Sequence, residues 1–270
     1  MSARYAVIGN PVAHSKSPWI HAQFARATGH DLVYEAIEAP LDGFARTVDE
    51  FRAAGGCGAN VTLPFKEQAY AYCRATSERA SAARAVNTLV FDRDELWGDN
   101  TDGVGLLRDL EVNLGVTLAN RRVLVLGAGG AARGVLQSLQ AAGVARLVVA
   151  NRTVDRAREL AARLPCVEAC GYPDIDARAF DLVINATSAG LSGELPPLPS
   201  GAANTLFAAG ALAYDMVYGR DTPFLAYARS AGARTSDGAG MLVEQAAESF
   251  LIWRGVRPDT GAVLAALRAR

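Results

Sequence analysis

The run Val123-Leu-Val-Leu126-Gly127-Ala128-Gly129-Gly130-Ala131-Ala132 decides the architecture. Its first part is aliphatic without polar alternation, the pattern of a strand covered on both faces in a parallel sheet. The second part is a G-x-G-x-x-A turn. Gly127 permits the tight reversal, Gly129 lets backbone approach a pyrophosphate, and Ala132 allows close helix–strand contact. The helix that opens there turns its N-terminus toward the phosphates. A glycine trio alone is weak evidence. Here a buried strand precedes it, and Val135, Leu136, Leu139 and Ala142 form one face of a helix after it, which is the context a dinucleotide site requires.

The same alternation extends outward. Leu147–Ala150, Leu182–Asn185 and Ala213–Val217 repeat the aliphatic strand pattern. Val154, Ala157, Leu160, Ala161 and Leu164 share a second helix face, and Pro165 ends it. Strand, helix and strand at this spacing make a βαβ unit. Upstream, Tyr5–Ile8, Leu32–Ile37, Ala59–Val61 and Thr88–Phe91 read as strands, with Arg93-Asp94 as a turn into Leu96-Trp97. Ser17–Thr28 and Leu41–Ala54 read as helices, the first with a serine cap and Pro18 in its first turn. Downstream, Met241–Trp253 reads as a helix with Leu242, Ala246, Phe250 and Trp253 on one side and Gly255 closing it. Pro196-Pro197-Leu198-Pro199 is a loop. The expected class is α/β with two domains. One is an N-terminal α/β substrate domain, residues 1–101 plus 240–270. The other is a Rossmann-type, doubly wound nucleotide domain, residues 102–239. The final helix returns to the first domain and carries Gln245 with it.

Bulk properties narrow the function. The chain has 270 residues, half of them hydrophobic and a fifth charged, with a formal net charge of −1. That composition supports a real core and offers no basic excess for nucleic acid. The apolar stretch at the N-terminus is too short for a signal peptide, and no run reaches the ~18 apolar residues of a membrane span. Cys57, Cys73, Cys166 and Cys170 form no CxxC and have no neighbouring His, so reduced cytosolic thiols are expected rather than zinc, and a cytoplasmic location. His14, His21 and His30 all lie near the N-terminus. Acid–base chemistry further along must therefore use other side chains.

The end of the strand after the glycine turn discriminates between cofactors. An NAD site places Asp or Glu there to bond the ribose 2′-hydroxyl. This chain has Asn151-Arg152-Thr153, followed by Arg156. A carboxylate would repel a 2′-phosphate, whereas an amide, a hydroxyl and a guanidinium donate to it. NADP(H) is the predicted cofactor.

Three further segments stand at strand or hairpin ends, where ligands of open α/β sheets collect. They are Gly9–Pro18, Asn60–Lys66, and Ala85–Thr88 with Gly98–Gly103. Together they offer hydroxyls (Ser15, Ser17, Thr62), amides (Asn60, Asn87), one ammonium (Lys66) and one carboxylate (Asp102), a set suited to a small polyhydroxylated anion. Taken singly, Ser15 or Ser17 could cap the helix and Asn87 or Asp102 could bond its own turn.

The motifs GNPVAHSKSP, NVTLPFK, AVNT, GDNTDG, GAGGAA, NRT, NATSAG and DGAGMLVEQAAESF, in this order, resemble the shikimate dehydrogenase family over nearly the whole chain. The resemblance implies NADPH-dependent reduction of 3-dehydroshikimate to shikimate, on the route to aromatic amino acids, by a monomer or homodimer. It also implies roles. Ser15 and Ser17 hold the substrate carboxylate with help from Tyr218. Thr62, Asn87 and Gln245 bind hydroxyls. Lys66 and Asp102 flank the reacting C–O, with Lys66 as proton donor. Gly127, Ala128, Gly129, Gly130, Ala131, Asn151, Arg152, Thr153, Arg156, Thr187, Met216 and Gly240 line the cofactor, and Glu78 lies near it. Two departures are visible. Ala22 stands where the family has Asn, and Tyr218-Gly-Arg-Asp runs directly into Thr222-Pro223, one residue shorter than the family form. Alternative readings are a quinate/shikimate dehydrogenase of broader range, a non-catalytic NADP-sensing relative, which would be expected to lose Lys66 or Asp102, and a glutamyl-tRNA reductase. The near-neutral charge disfavours the last.

Overall fold

The computed structural model describes residues 2–91, 95–176, 179–199 and 203–270. The expected turn at Arg93-Asp94 lies outside them. The chain divides into two compact units, Met1–Leu106 with Leu242–Arg270, and Leu107–Met241. Both boundaries fall inside helices, so Asp102, taken from the sequence as the start of the nucleotide domain, stands in the first unit, and Gly240 stands in the second.

The first unit runs β1 (Ala3–Gly9), α1 (Ser17–Thr28), β2 (Leu32–Glu38), α2 (Phe44–Ala53), β3 (Gly56–Val61), α3 (Lys66–Tyr72), β4 (Ala75–Thr76), α4 (Glu78–Ala83), β5 (Thr88–Phe91), β6 (Leu96–Asp99) and α5 (Asp102–Arg108). The strands form one sheet in the order β2-β1-β3-β5-β6-β4. β1 pairs in parallel with β2 and β3, while β5 is antiparallel to both β3 and β6. An antiparallel strand begins where its parallel neighbours end. The start of β5 and the end of β6 therefore meet the ends of β1 and β3 at one edge, which gathers the three unusual segments.

Ile8, Ala59, Val61, Phe65 and Leu89 form part of the apolar core of this unit. Helix α2 starts at Phe44, not Leu41, because Gly43 is its cap residue and Pro40 precedes it. Helix α1 begins at Ser17 as expected, but Ser17 is not its cap. Lys16 occupies that position without a side-chain bond, and Ser15 Oγ accepts the Ser17 N–H at 3.3 Å.

The second unit continues from α5 through a π-helical turn (Asp109–Asn113) into β7 (Arg122–Leu126), α6 (Gly130–Ala141), β8 (Arg146–Ala150), α7 (Val154–Ala161), β9 (Val167–Cys170), β10 (Phe180–Asn185), α8 (Ala203–Leu206), β11 (Phe207–Asp215), α9 (Pro223–Ser230) and β12 (Arg234–Asp237). Its sheet is wholly parallel, in the order β12-β11-β10-β7-β8-β9. The order reverses between β7 and β10, the switch point where ligands of doubly wound sheets bind. β11 stops at Asp215 rather than Val217, because the Asp215 carboxylate accepts the Val217 N–H at 3.0 Å and turns the chain. Finally α10 (Ala239–Arg254) and α11 (Gly261–Arg268) complete the chain. From Leu242 onward α10 belongs to the first unit. There Trp253 stacks on Tyr5 with ring centroids 4.6 Å apart and donates its indole N–H to the Leu89 carbonyl at 3.0 Å. No helix among the described residues is long and apolar enough to cross a membrane.

Candidate active site

In the first unit, backbone bonds stitch the three segments together. Asn10 N–H donates to Leu63 O at 3.0 Å, Val61 N–H to Asn87 O at 2.8 Å, Val86 N–H to Lys66 O at 2.9 Å and Asn87 N–H to Asp99 O at 3.0 Å. Lys66 opens α3 and Asp102 opens α5, and Lys66 Nζ donates to Asp102 Oδ2 at 2.6 Å. The side chains are only 14% and 5% exposed. A buried ion pair needs further hydrogen bonds to offset desolvation. Here Asn87 Nδ2 donates to the other carboxylate oxygen at 2.8 Å, and the Asp102 N–H is held by Asn100 Oδ1 at 3.1 Å. Gln245 reaches the same cluster from α10, its Oε1 3.3 Å from Asn87 Nδ2. Lys66, Asp102, Asn87 and Gln245 are thus brought into one hydrogen-bonded group.

Ser17 is buried at the start of α1, beside Tyr34, whose phenol is pushed well above its usual pKa by burial and lowered somewhat by the Ser17 hydroxyl. Thr62 follows β3 and is half-buried, and its N–H donates to Ile8 O at 2.9 Å.

Glu78 is exposed in the first turn of α4, a helix capped by Ser77. The neighbouring Arg79 grips Asp99 with two donors at 2.7 Å and reaches Glu248 at 3.2 Å. Burial works against the Arg79 charge, and these carboxylates outweigh it, raising its pKa. This clamp holds the end of β6, just before Asp102. No local pattern in the sequence marks it, because its three members are far apart along the chain.

The nucleotide turn lies in the second unit. Gly127 has φ +104°, a conformation that side chains rarely adopt, and a Cβ there would sit 3.1 Å from Thr187 Cγ2. Nothing lies within 4 Å of the position a Gly129 Cβ would take, which leaves open space in front of the α6 N-terminus. Both observations fit the residues to a dinucleotide pyrophosphate. At the end of β8, Asn151 Nδ2 donates to the Thr153 carbonyl at 2.9 Å. Arg152, Thr153 and Arg156 are exposed. Arg152 comes near enough to Tyr172 to oppose the burial that pushes that phenol up to about 12.

At the ends of β10 and β11 the loops carrying Thr187 and Met216 share one hub. Asn185 Oδ1 accepts both the Thr187 N–H, at 3.1 Å, and its hydroxyl, at 2.7 Å. Asp215 Oδ2 accepts from Asn185 Nδ2 at 3.1 Å and from Thr222 Oγ1 at 2.6 Å. Burial raises the Asp215 pKa, and these bonds oppose it. Thr222 also caps α9, so the shortened loop after half-buried Tyr218 is anchored at its far end. Gly240 is buried: a Cβ there would fall 1.8 Å from Asp109 Oδ1, a packing reason for glycine that needs no cofactor. Asp215 and Asn185 give no sign in the sequence of being hubs, since they bond to each other across two strands.

A doubly wound parallel sheet with a glycine turn at its switch point, in a chain whose other unit buries a lysine–carboxylate pair, defines a nucleotide-dependent oxidoreductase of the two-unit α/β class. Family models described as the shikimate dehydrogenase substrate binding domain, shikimate / quinate 5-dehydrogenase and the shikimate 5′-dehydrogenase C-terminal domain match residues 7–89, 110–192 and 238–268. A protein of Aromatoleum aromaticum named shikimate dehydrogenase (NADP(+)) is 61% identical, with 98% of this chain and 96% of the relative covered. The crystal structure of an Ael1 enzyme from Pseudomonas putida superposes with a TM-score of 0.91 at 50% identity, covering 98% of each chain. That of shikimate 5-dehydrogenase from Thermus thermophilus, in complex with NADP(H) and shikimate, gives 0.88 at 38% identity and covers 99% of each. The chain belongs to the shikimate dehydrogenase family.

Proposed function

We propose that this chain catalyses the reversible NADP-dependent interconversion of 3-dehydroshikimate and shikimate, with Lys66 as the proton-moving group. The carrying observation is the 2.6 Å Lys66–Asp102 pair, buried and braced by Asn87, in the unit whose other polar groups suit a small hydroxylated carboxylate. The 2′-phosphate of NADP would be held by Asn151, Arg152, Thr153 and Arg156, and the pyrophosphate by the backbone from Gly127 to Ala131. Thr187, Met216 and Gly240 complete the cofactor side. When bound, the cofactor supplies the hydride that reduces the substrate carbonyl carbon.

The chain's own residues do the rest. Ser15 and Ser17 bind the substrate carboxylate, while Thr62, Asn87 and Gln245 take its hydroxyls. Lys66 Nζ–H protonates the oxygen that becomes alkoxide as the C–O double bond is reduced, and the neutral amine takes that proton back in the oxidative direction. Asp102 fixes the ammonium and holds it at the reacting oxygen. The presence of both Lys66 and Asp102 favours catalysis over a sensing role.

The test is NADP⁺ reduction by the purified chain with shikimate, run against quinate and against NAD⁺. Turnover with shikimate and NADP⁺ exceeding both alternatives is expected. Equal or better rates with quinate would broaden the substrate assignment, and a preference for NAD⁺ would overturn the reading of Asn151–Arg156.

A further inference from the structure

A hydrogen-bonded chain of fixed polarity runs behind the Lys66–Asp102 pair in the first unit. Asn87 Oδ1 accepts the Thr101 backbone N–H at 2.9 Å. A backbone N–H can only donate, so the oxygen of this amide faces Thr101 and its Nδ2 faces Asp102. Asn60 Nδ2 donates to the Asn87 backbone carbonyl at 3.1 Å, a group that can only accept. Asn60 Oδ1 is therefore left to accept, and the Tyr34 hydroxyl donates to it at 2.7 Å.

Thr88 and Ser249 stand between the two amides. The second Asn60 Nδ2 proton goes to Ser249 Oγ at 2.9 Å, the nearer hydroxyl, with Thr88 Oγ1 at 3.2 Å. Each hydroxyl then has one proton to give. Thr88 gives its proton to Asn87 Oδ1 at 2.8 Å, and Ser249, which also lies 3.0 Å from the Gln245 carbonyl, gives its own to Thr88 Oγ1. The two hydroxyl oxygens lie 2.8 Å apart. Asn60, Asn87, Thr88, Thr101 and Ser249 are all buried, so bulk water does not replace a partner that is lost.

We propose that Thr88, backed by Ser249, is a positioning residue: the proton it donates to Asn87 Oδ1 keeps that amide turned with its N–H on Asp102, the carboxylate that orients Lys66. The proposal rests on the reading of Lys66 and Asp102 as the pair that moves the proton. Without the Thr88 hydroxyl, the Asn87 oxygen keeps only its bonds to Thr101, and the amide can tilt away from the carboxylate.

The test uses the full chain with Thr88→Val, Thr88→Ser and Ser249→Ala, each alone and combined with Asn87→Ala. Thr88→Val lowers kcat for shikimate oxidation by about tenfold, the size of one neutral hydrogen bond, and leaves KM for NADP⁺ unchanged. Thr88→Ser restores kcat to within about twofold. In the Asn87→Ala background Thr88→Val costs less than about twofold, because no amide remains for it to turn. A purely structural role would give equal losses in both backgrounds. A near-normal kcat in Thr88→Val, or an undiminished loss beside Asn87→Ala, overturns the proposal.

If Thr88→Val does not fold, Ser249→Ala carries the same cycle with an expected loss of about threefold. The Asn87 side-chain amide supplies a readout independent of turnover. Its ¹⁵N-correlated protons exchange slowly in the wild type and fast in Thr88→Val, and unaltered exchange counts against the proposal. Should the wild type not oxidise shikimate, the functional reading falls on that assay alone, while the amide resonances still decide the role of Thr88.

Discussion

The lysine–carboxylate pair of the first unit and the arginines after β8 in the second are held in opposite ways. In the first, Lys66, Asp102, Asn87 and Thr88 are largely withdrawn from solvent and bonded to one another. In the second, Arg152, Thr153 and Arg156 are exposed. Burying charge is costly unless each group is partnered, so the first unit carries its geometry before any substrate arrives. Exposed guanidiniums cost little to keep in water and gain a partner only when a phosphate arrives. Substitutions at Lys66, Asp102 and Asn87 should therefore act on turnover and folding, and those at Arg152, Thr153 and Arg156 on cofactor affinity and choice.

The largest effect is expected at Lys66. A positioned proton donor is worth about 10²–10⁴-fold, so Lys66→Ala should lower kcat at least about a hundredfold with a much smaller change in KM. It also strands a buried carboxylate, although the Asn87 N–H remains on Asp102. Thermal unfolding of the variant separates loss of chemistry from loss of fold. A folded variant with near-normal kcat would remove Lys66 from the proton step and break the comparison on its first side.

His21 sharpens the same side through stability. Its ring is fully buried, lies face to face with Tyr34 at 4.2 Å between centroids, and sits among Phe24, Phe250 and Trp253. Burial pushes its pKa down to about 3, with a small opposing contribution from Asn60. The folded-state pKa is thus below the unfolded value of 6.5. The neutral ring's contribution is whole above pH 6.5 and is lost as pH falls toward 3, because the unfolded chain takes up a proton that the folded chain refuses. Between pH 7 and pH 5 this amounts to about 2 kcal/mol, at 1.36 kcal/mol per pK unit. Urea unfolding of wild type and His21→Phe at the two pH values measures it. The variant keeps an aromatic ring and should lose about 2 kcal/mol less on acidification. Equal losses would mean that the ring is protonated without cost.

Much of the fold was legible because parallel strands and their helices are encoded locally. Val123–Leu126 and the glycine turn after it define the doubly wound unit with no long-range information. The gathering of Asn60, Lys66, Asn87 and Asp102 could be suspected from motif content, yet it depends on β5 running antiparallel to β3, which no single segment states. Ser249 lies within the motif DGAGMLVEQAAESF, but nothing there singles it out. It lies on α10, far from Thr88 in the chain, and only the sheet's topology brings the two hydroxyls together. The short helices α3 and α4 escaped notice because six or seven residues are too few to display a period. The expected serine cap at Ser17 failed for a local reason: Pro18 fits the first or the second helical position, and the helix took the second, moving the cap to Lys16.

The smallest predicted effect lies in the second unit. Arg152 is exposed and comes near Tyr172, with no bond to the sheet required to keep it in place. Arg152→Ala should leave thermal stability and kcat almost unchanged while raising KM for NADP⁺ about tenfold, the scale of one charge-assisted contact to a 2′-phosphate. KM for NAD⁺, which lacks that phosphate, should move by less than about twofold. Because the contact is made near the surface, the NADP⁺ penalty should shrink as salt screens the wild-type interaction. Equal losses for the two cofactors would mean that Arg152 supports the adenosine moiety rather than the phosphate. A marked fall in Tm would mean that Arg152, like Lys66 and Asp102, is built into the fold, and the contrast between them would then have to be abandoned.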